Sequence, residues 1–280
     1  MGYASKAPAS GQRTAMAASQ AATRIVAVAN QKGGVGKTDL TVNLSCQLAA
    51  LGKRTLMIDL DPQANATDYL VSPGTPAGKS TADLLLDDSV TLDEVVMEGC
   101  RENLDVLPSS QSLSSCQIRL ANDINMQFKL KKKLRAITEG SRSYDYVFID
   151  TPPSLGLLMV NTLTAANGVI IPVQTQYFAM DGVVQLQETI KKVREDINPS
   201  LHVLGLVLTM YDRRTLISRE VAEKVRGEVG ERVFSTVIPV NVRLAEAPSH
   251  HKSIFEYDPG SSGARAYREL AKEVLGCPDA

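Results

Sequence analysis

From Thr23 onward the chain alternates short apolar runs with longer stretches of helical length. The runs are RIVAVAN (24–30), RTLMIDLD (54–61), NLDVLP (103–108), YDYVFIDTPP (144–153), GVIIPV (168–173), LHVLGLVLTM (201–210) and RVFSTVIPV (232–240). They are nearly continuous in Val, Ile and Leu, the pattern of strands buried on both faces. Between most of them lie segments of helical length, among them 37–51, 117–139, 180–196 and 215–229. Strands separated by helices predict an α/β fold, a mostly parallel twisted sheet flanked by helices on both faces. The stretch 71–80 reads as a loop, but nothing reads as a linker or a repeat of fixed period. Residues 23–280 are therefore expected to form one domain. Residues 1–22, rich in Ala, Ser and Gly without an apolar period, read as a disordered tail.

Composition changes this picture little. The 280 residues are 44% hydrophobic, enough for a substantial core. A net charge of −1 gives no electrostatic case for a nucleic-acid partner, although a total conceals local basic faces. Aromatics at 5% and the absence of Trp argue against base stacking on single strands. Cys46, Cys100, Cys116 and Cys277 form no CxxC pair and read as isolated small hydrophobes in a reducing compartment. No apolar run reaches the roughly 18 residues of a membrane span. The N-terminus lacks a signal-peptide core. Lys6 stands where a myristoylation motif wants Ser or Thr. A cytoplasmic protein is expected.

The chemistry begins at Lys32–Thr38, K-G-G-V-G-K-T, which follows a strand and opens a helix. Gly33, Gly34 and Gly36 let backbone amides converge on phosphate oxygens, with Val35 between them. The helix starting near Lys37 points its positive end at the same oxygens. Lys37 is expected on the β- and γ-phosphates, and the Thr38 hydroxyl on magnesium. Gln31 stands where the general phosphate-loop motif has its first glycine. Two other runs end in acids: Asp59 and Asp61 in LMIDLDPQANAT, Asp150 in YVFIDTPPS. In a parallel sheet the C-terminal strand ends gather on one edge, so three carboxylates should converge on the loop. Asp59 and Asp150 are candidates for the magnesium environment, Asp150 acting through water. Asp61 is the candidate that orients or deprotonates an attacking water. The alternative for these acids is turn formation before Pro62 and Pro152.

The blocks NQKGGVGKTDLTVNLS, IDLDPQANAT, FIDTPPS, TMYDRRT and NVRLAEAPSHHKSIFEYDP resemble, in order, those of the deviant Walker A ATPases. Within that class they resemble the ParA/Soj partition proteins, of the short chromosomal type. The resemblance covers about residues 24 to 275. It implies a P-loop NTPase fold, ATP and magnesium as cofactors, and slow ATP hydrolysis. It also implies an ATP-bound homodimer, sequence-independent binding of double-stranded DNA, and a ParB-type partner protein that stimulates hydrolysis. Nucleoid association follows from these. Lys32 matches the lysine that reaches the partner subunit's phosphates, which would make dimerisation a readout of the γ-phosphate. Pro239 and Asn241 match positions at the adenine. Arg214 and Arg243 match positions that bind the DNA backbone. Lys252, Arg265, Arg268 and Lys272 could widen that basic face.

Three positions depart from the family pattern. Asp39 stands where the family usually has Thr against the α-phosphate, and a carboxylate there repels phosphate. Val240 stands where an Arg is common. His251 replaces a usual Gly, a change that either matters little or removes a flexible turn. The alternatives are a membrane-cycling MinD-like ATPase, a nitrogenase-type iron protein, and a ParA-like ATPase that positions another cargo. The first needs a basic amphipathic C-terminal helix, and the ending GARAYRELAKEVLGCPDA is acidic and short of large apolar residues. The second needs two cluster cysteines per subunit, and the segments around Cys100 and Cys116 do not resemble those cluster loops.

Overall fold

The computed structural model describes residues 22–278, apart from 73, 76–77, 121–122, 141, 178–179 and 230–231. The expected N-terminal tail thus lies outside the described residues except for Ala22. The strands are β1 (Arg24–Val28), β2 (Thr55–Asp59), β3 (Met97–Arg101), β4 (Leu104–Leu107), β5 (Tyr146–Asp150), β6 (Gly168–Gln174), β7 (His202–Tyr211) and β8 (Val233–Pro239). The helices are α1 (Lys37–Ala50), α2 (Asn65–Leu70), α3 (Thr81–Leu86), α4 (Leu113–Leu120), α5 (Lys129–Thr138), α6 (Leu157–Ala165), α7 (Asp181–Asp196), α8 (Leu216–Val229), α9 (Val242–Glu246), α10 (Ile254–Tyr257) and α11 (Ser262–Leu275).

The strands make one eight-stranded sheet in the order β3-β4-β2-β5-β1-β6-β7-β8. Every pairing is parallel except β3 with β4. Alternation along β1 feeds two cores. Ile25 and Ala27 face the layer of α3 to α8, while Val26 and Val28 face α1 and α11. All five residues of β2 and of β5 are buried, as strands covered on both sides must be.

Two elements escape the sequence pattern. β3 reads MEGCR and is half exposed, so no apolar run marks it. It exists because a two-residue turn, with Asn103 at φ 59°, folds it back onto β4. The stretch 117–139 is two helices, not one. The Asp123 carboxylate accepts from the Asn125 N–H and turns the chain after α4. Asn161 then stitches the break, accepting from the Leu130 N–H and donating to the Met126 carbonyl.

The C-terminal segment is part of the core. Ala264, Tyr267, Leu270, Ala271 and Val274 of α11 are buried with Leu40, Leu44 and Leu48 of α1. Burial of each large side chain stabilises by roughly 1.5–3 kcal/mol. The Glu273 carboxylate clamps α11 to β8 through the Ser235 and Thr236 N–H groups. This apolar stripe is small in sequence because Ala and Gly allow close packing, and it is already occupied.

Candidate active site

Parallel pairing brings the C-terminal ends of β1, β2, β5, β7 and β8 to one edge. Val28 and Asp59 both lie level with Asp150, so the two acids stand side by side on neighbouring strands. The phosphate loop rises from the end of β1. Gly34 and Gly36 hold it at φ 71° and 84°, the left-handed region that glycine enters freely. A Cβ at Gly34 would meet nothing within 4 Å, so that backbone faces open space. Gly36 is the N-cap of α1, and among the described residues no side chain caps the helix's start.

Lys37 is only 7% exposed and its ammonium donates to the Lys32 carbonyl at 3.1 Å. Burial lowers its pKa, and the Asp150 and Asp61 carboxylates oppose that shift. The Thr38 hydroxyl donates to Asp150 Oδ2 at 2.8 Å, and the Thr41 hydroxyl reaches Asp150 Oδ1 at 3.3 Å. Burial pushes the carboxyls of Asp150 and Asp59 upward, and the charge of Asp59 pushes Asp150 further. Such a site gains from a cation beside it.

Asp59 and Asp61 divide the remaining work. Asp59 Oδ2 accepts from the Thr67 N–H and hydroxyl, each at 2.8 Å, and Oδ1 accepts from the Asp61 N–H at 3.0 Å. Asp59 therefore holds the turn in place, a use the metal assignment did not anticipate. Asp61 Oδ1 accepts from the Gln63 N–H at 2.9 Å. Among the described residues, Asp61 Oδ2 has no hydrogen-bond donor from the chain. Ser109 fixes the Asp61 carbonyl from β4's end at 2.6 Å.

Several supports were not foreseen from sequence. Thr209, at the end of β7, donates to the Val35 carbonyl at 2.9 Å and ties the loop to the sheet. Asn30 accepts from the Lys32 N–H and donates to the Pro172 carbonyl. A Cβ at Gly182 would come within 3.0 Å of Asn30 Oδ1, so α7 closes directly on the loop's base.

The AAA domain family profile matches residues 23–203. The sporulation initiation inhibitor protein Soj of Bacillus subtilis (strain 168) is 46% identical over 251 residues, covering 90% of this chain and 98% of that protein. The chromosome partitioning protein ParA of Caulobacter vibrioides (strain NA1000 / CB15N) is 44% identical over 252 residues, covering 90% and 94%. The chain belongs to the ParA/Soj family of partition ATPases. A crystal structure of cobyrinic acid a,c-diamide synthase from Mycobacterium smegmatis, with bound ADP and magnesium, shares the fold. Its TM-score is 0.77 at 35% identity, covering 90% of this chain and 94% of that one.

The remaining family positions of this ParA/Soj protein lie on the same edge. Pro239 ends β8, and Asn241 caps α9 by accepting from the Arg243 N–H while donating to Ser262 Oγ. Arg214 is 82% exposed and forms a two-pronged pair with Asp212, at 3.0 and 2.9 Å. Arg243 pairs with Glu246 at 2.8 Å and lies 3.7 Å from Asp258. Of the further basic residues, Arg265 and Arg268 donate to the Gly260 and Pro259 carbonyls, and Lys272 pairs with Glu269. His251 adopts φ 53°, the conformation that the usual glycine would enter without strain, and its ring Nδ1 lies 2.5 Å from the Asp68 carbonyl. Val240 is exposed. Cys46 and Cys116 are buried; Cys100 and Cys277 are half-buried.

Proposed function

We propose that this ParA/Soj protein is an ATP-dependent switch for chromosome or plasmid partition. ATP and magnesium bring two copies together. The dimer binds double-stranded DNA without sequence preference, and a ParB-type partner stimulates hydrolysis and release. The residues present fit the nucleotide: left-handed glycines over open space, a buried ammonium, and a threonine hydroxyl on an acid whose pKa is raised. Lys37 would hold the β- and γ-phosphates, Thr38 and Asp150 the magnesium, Pro239 and Asn241 the adenine. Magnesium would supply charge neutralisation at the phosphates. Asp61 would orient the water. Intrinsic turnover is slow, because few groups act on that water until the dimer and partner assemble.

One observation carries the dimer: the loop holds two lysines in different states. Lys37 is packed inward on the cradle. Lys32 is half-exposed, its backbone N–H and C=O are both fixed, and among the described residues its ammonium has no ion pair. That is the arrangement of a cation available to a second molecule's phosphates. Membrane cycling is the weaker reading, because α11 has spent its apolar face on the core. Among the described residues no helix is long and apolar enough to cross a membrane. A homologue that positions another cargo would share the same switch, and a ParB-like reading frame in a neighbouring gene would favour partition.

Electrophoretic shift of non-specific duplex DNA with ATP, ADP or no nucleotide tests the switch. A shift is expected with ATP alone. Arg243→Ala should weaken it by about tenfold and reduce the salt slope by about one or two. An ATP-independent shift that survives the substitution would refute the switch. Thr209→Val tests the loop's anchor. Removing a hydrogen bond of about 1 kcal/mol should weaken ATP about fivefold by fluorescent-analogue titration. Equal affinity would free Thr209 from that role.

A further inference from the structure

His251 ends the short 3-10 turn at 247–250, in the segment that also carries Asn241 and Arg243. Its φ of 53° and ψ of 39° lie in the left-handed region, which a residue with a Cβ enters only at a cost. Such strain persists where the surroundings hold the residue at several points. His251 is held at three. Its N–H donates to the Pro248 carbonyl at 3.0 Å. Its carbonyl accepts from Arg101 Nη2 at 3.0 Å. Its ring Nδ1 lies 2.5 Å from the Asp68 carbonyl, and since a carbonyl only accepts, the ring proton sits on Nδ1. Arg101 strengthens the same junction. Its Nη1 donates to the Leu70 carbonyl at 3.2 Å, and its Nε to the Glu256 carboxylate at 2.6 Å. Asp68 and Leu70 both belong to α2, so one bracket grips that helix by two of its carbonyls.

From Asp68 a run of main-chain hydrogen bonds leads to the hydrolytic side of the site. The Asp68 N–H donates to the Ala64 carbonyl at 2.9 Å. The Ala64 N–H donates in turn to the Asp61 carbonyl at 2.9 Å. Ala64, the N-cap of α2, is itself left-handed at φ 56°. A helix of six residues is too short to be stable by itself, so its fastenings set where it sits. Thr67 fastens it to Asp59. His251 and Arg101 fasten it to the segment of Asn241 and Arg243.

We infer that His251 is a positioning residue for hydrolysis: its ring N–H holds α2, and with it the turn that aims the Asp61 carboxylate. The inference rests on the reading of Asp61 as the water-orienting group and adds the residue that keeps it in place. The ring acts through its Nδ1 donor and not by touching nucleotide. Glycine, the usual residue at this position, would keep the turn and drop the fastening.

The test is ATP hydrolysis by the full chain with magnesium, read as kcat and KM, beside amide hydrogen exchange across residues 61–70. His251→Gly enters the left-handed region without strain but removes the donor. It should lower kcat about tenfold at unchanged KM, as a displaced catalytic group does. The amides of α2 should exchange faster. Asn tolerates the left-handed conformation and carries a side-chain N–H close to where Nδ1 stands. His251→Asn should therefore restore both kcat and protection. Wild-type kcat in His251→Gly would overturn the inference, even with faster exchange, because the fastening would then be structural alone. A rise in KM that accounts for the lost activity would overturn it too, as would an Asn variant as slow as the Gly variant. Normal turnover in Asp61→Ala is a separate failure, which strikes the reading of Asp61 and leaves the exchange result standing.

Discussion

Asp61→Ala is expected to lower ATP turnover by about a hundredfold or more while ATP still binds, leaving an ATP-bound dimer that persists. The reason lies in how the residue is held. Its N–H is fixed by Asp59, its carbonyl by Ser109, and one carboxylate oxygen by the Gln63 N–H. The residue is 8% exposed, and among the described residues its other carboxylate oxygen has no donor from the chain. A buried carboxylate with one oxygen restrained and the other available is poised to orient a water. General-base or positioning groups of this kind contribute about 10²–10⁴ in rate. Binding should survive, because Asp61 makes no hydrogen bond to the loop; removing its charge leaves Lys37 with one fewer anionic neighbour. Light scattering with magnesium and ATP should show a dimer that outlasts the wild type's. Asp61→Asn keeps the Gln63 hydrogen bond and separates chemistry from turn stability. Normal turnover in both variants would move the water to another residue.

What the sequence made legible follows from how local each signal is. The phosphate loop was readable because seven adjacent residues carry it between a strand and a helix. Asp59, Asp61 and Asp150 were readable because strand ends of a parallel sheet share an edge, a rule that needs no contact map. That rule places an acid but not its hydrogen bonds, and Asp59 spends its oxygens on Thr67 and the Asp61 amide instead of standing open. Supports that depend on tertiary pairing were invisible. Thr209 is 174 residues from Val35, and Ser109 is 48 from Asp61. A lone Thr or Ser at such separation leaves no periodic trace. β3 failed for a different reason, since an exposed edge strand with Gly99 at φ 66° has neither apolar pattern nor strand propensity. The question raised by Asp39 was readable as an anomaly.

The arginines show a further limit. Family resemblance marked Arg214 and Arg243, and each sits on the ligand edge paired to a nearby carboxylate. Exposed pairs of this kind contribute little to stability, because water and salt screen them. Exchanging Asp212 or Glu246 for a DNA phosphate therefore costs the fold little. The pairing keeps each guanidinium positioned without committing it.

Lys32→Ala should abolish the ATP-dependent dimer while leaving ATP binding to the monomer within a few fold of wild type. The structure separates the two functions of this residue. Its backbone carbonyl seats the Lys37 ammonium at 3.1 Å, and its N–H is held by Asn30 at 2.9 Å. Alanine keeps both, so the cradle retains its shape. What is lost is the half-exposed side chain beyond Cβ with its ammonium, and among the described residues that group has no ion pair. A cation delivered by a second subunit to a triphosphate acts in a site from which water is excluded, where arginine-finger-type contacts are worth about 10³–10⁵ in rate. Turnover should accordingly fall with dimerisation. Sedimentation velocity with magnesium and ATP reads the assembly, and calorimetric titration reads the monomer's affinity. The Asp61→Ala background sharpens the result, since a dimer trapped there and lost on adding Lys32→Ala assigns the joint to this one ammonium. A dimer of wild-type strength in the Lys32→Ala protein would mean that the subunits meet through other groups, and that the second lysine of the loop serves its own chain.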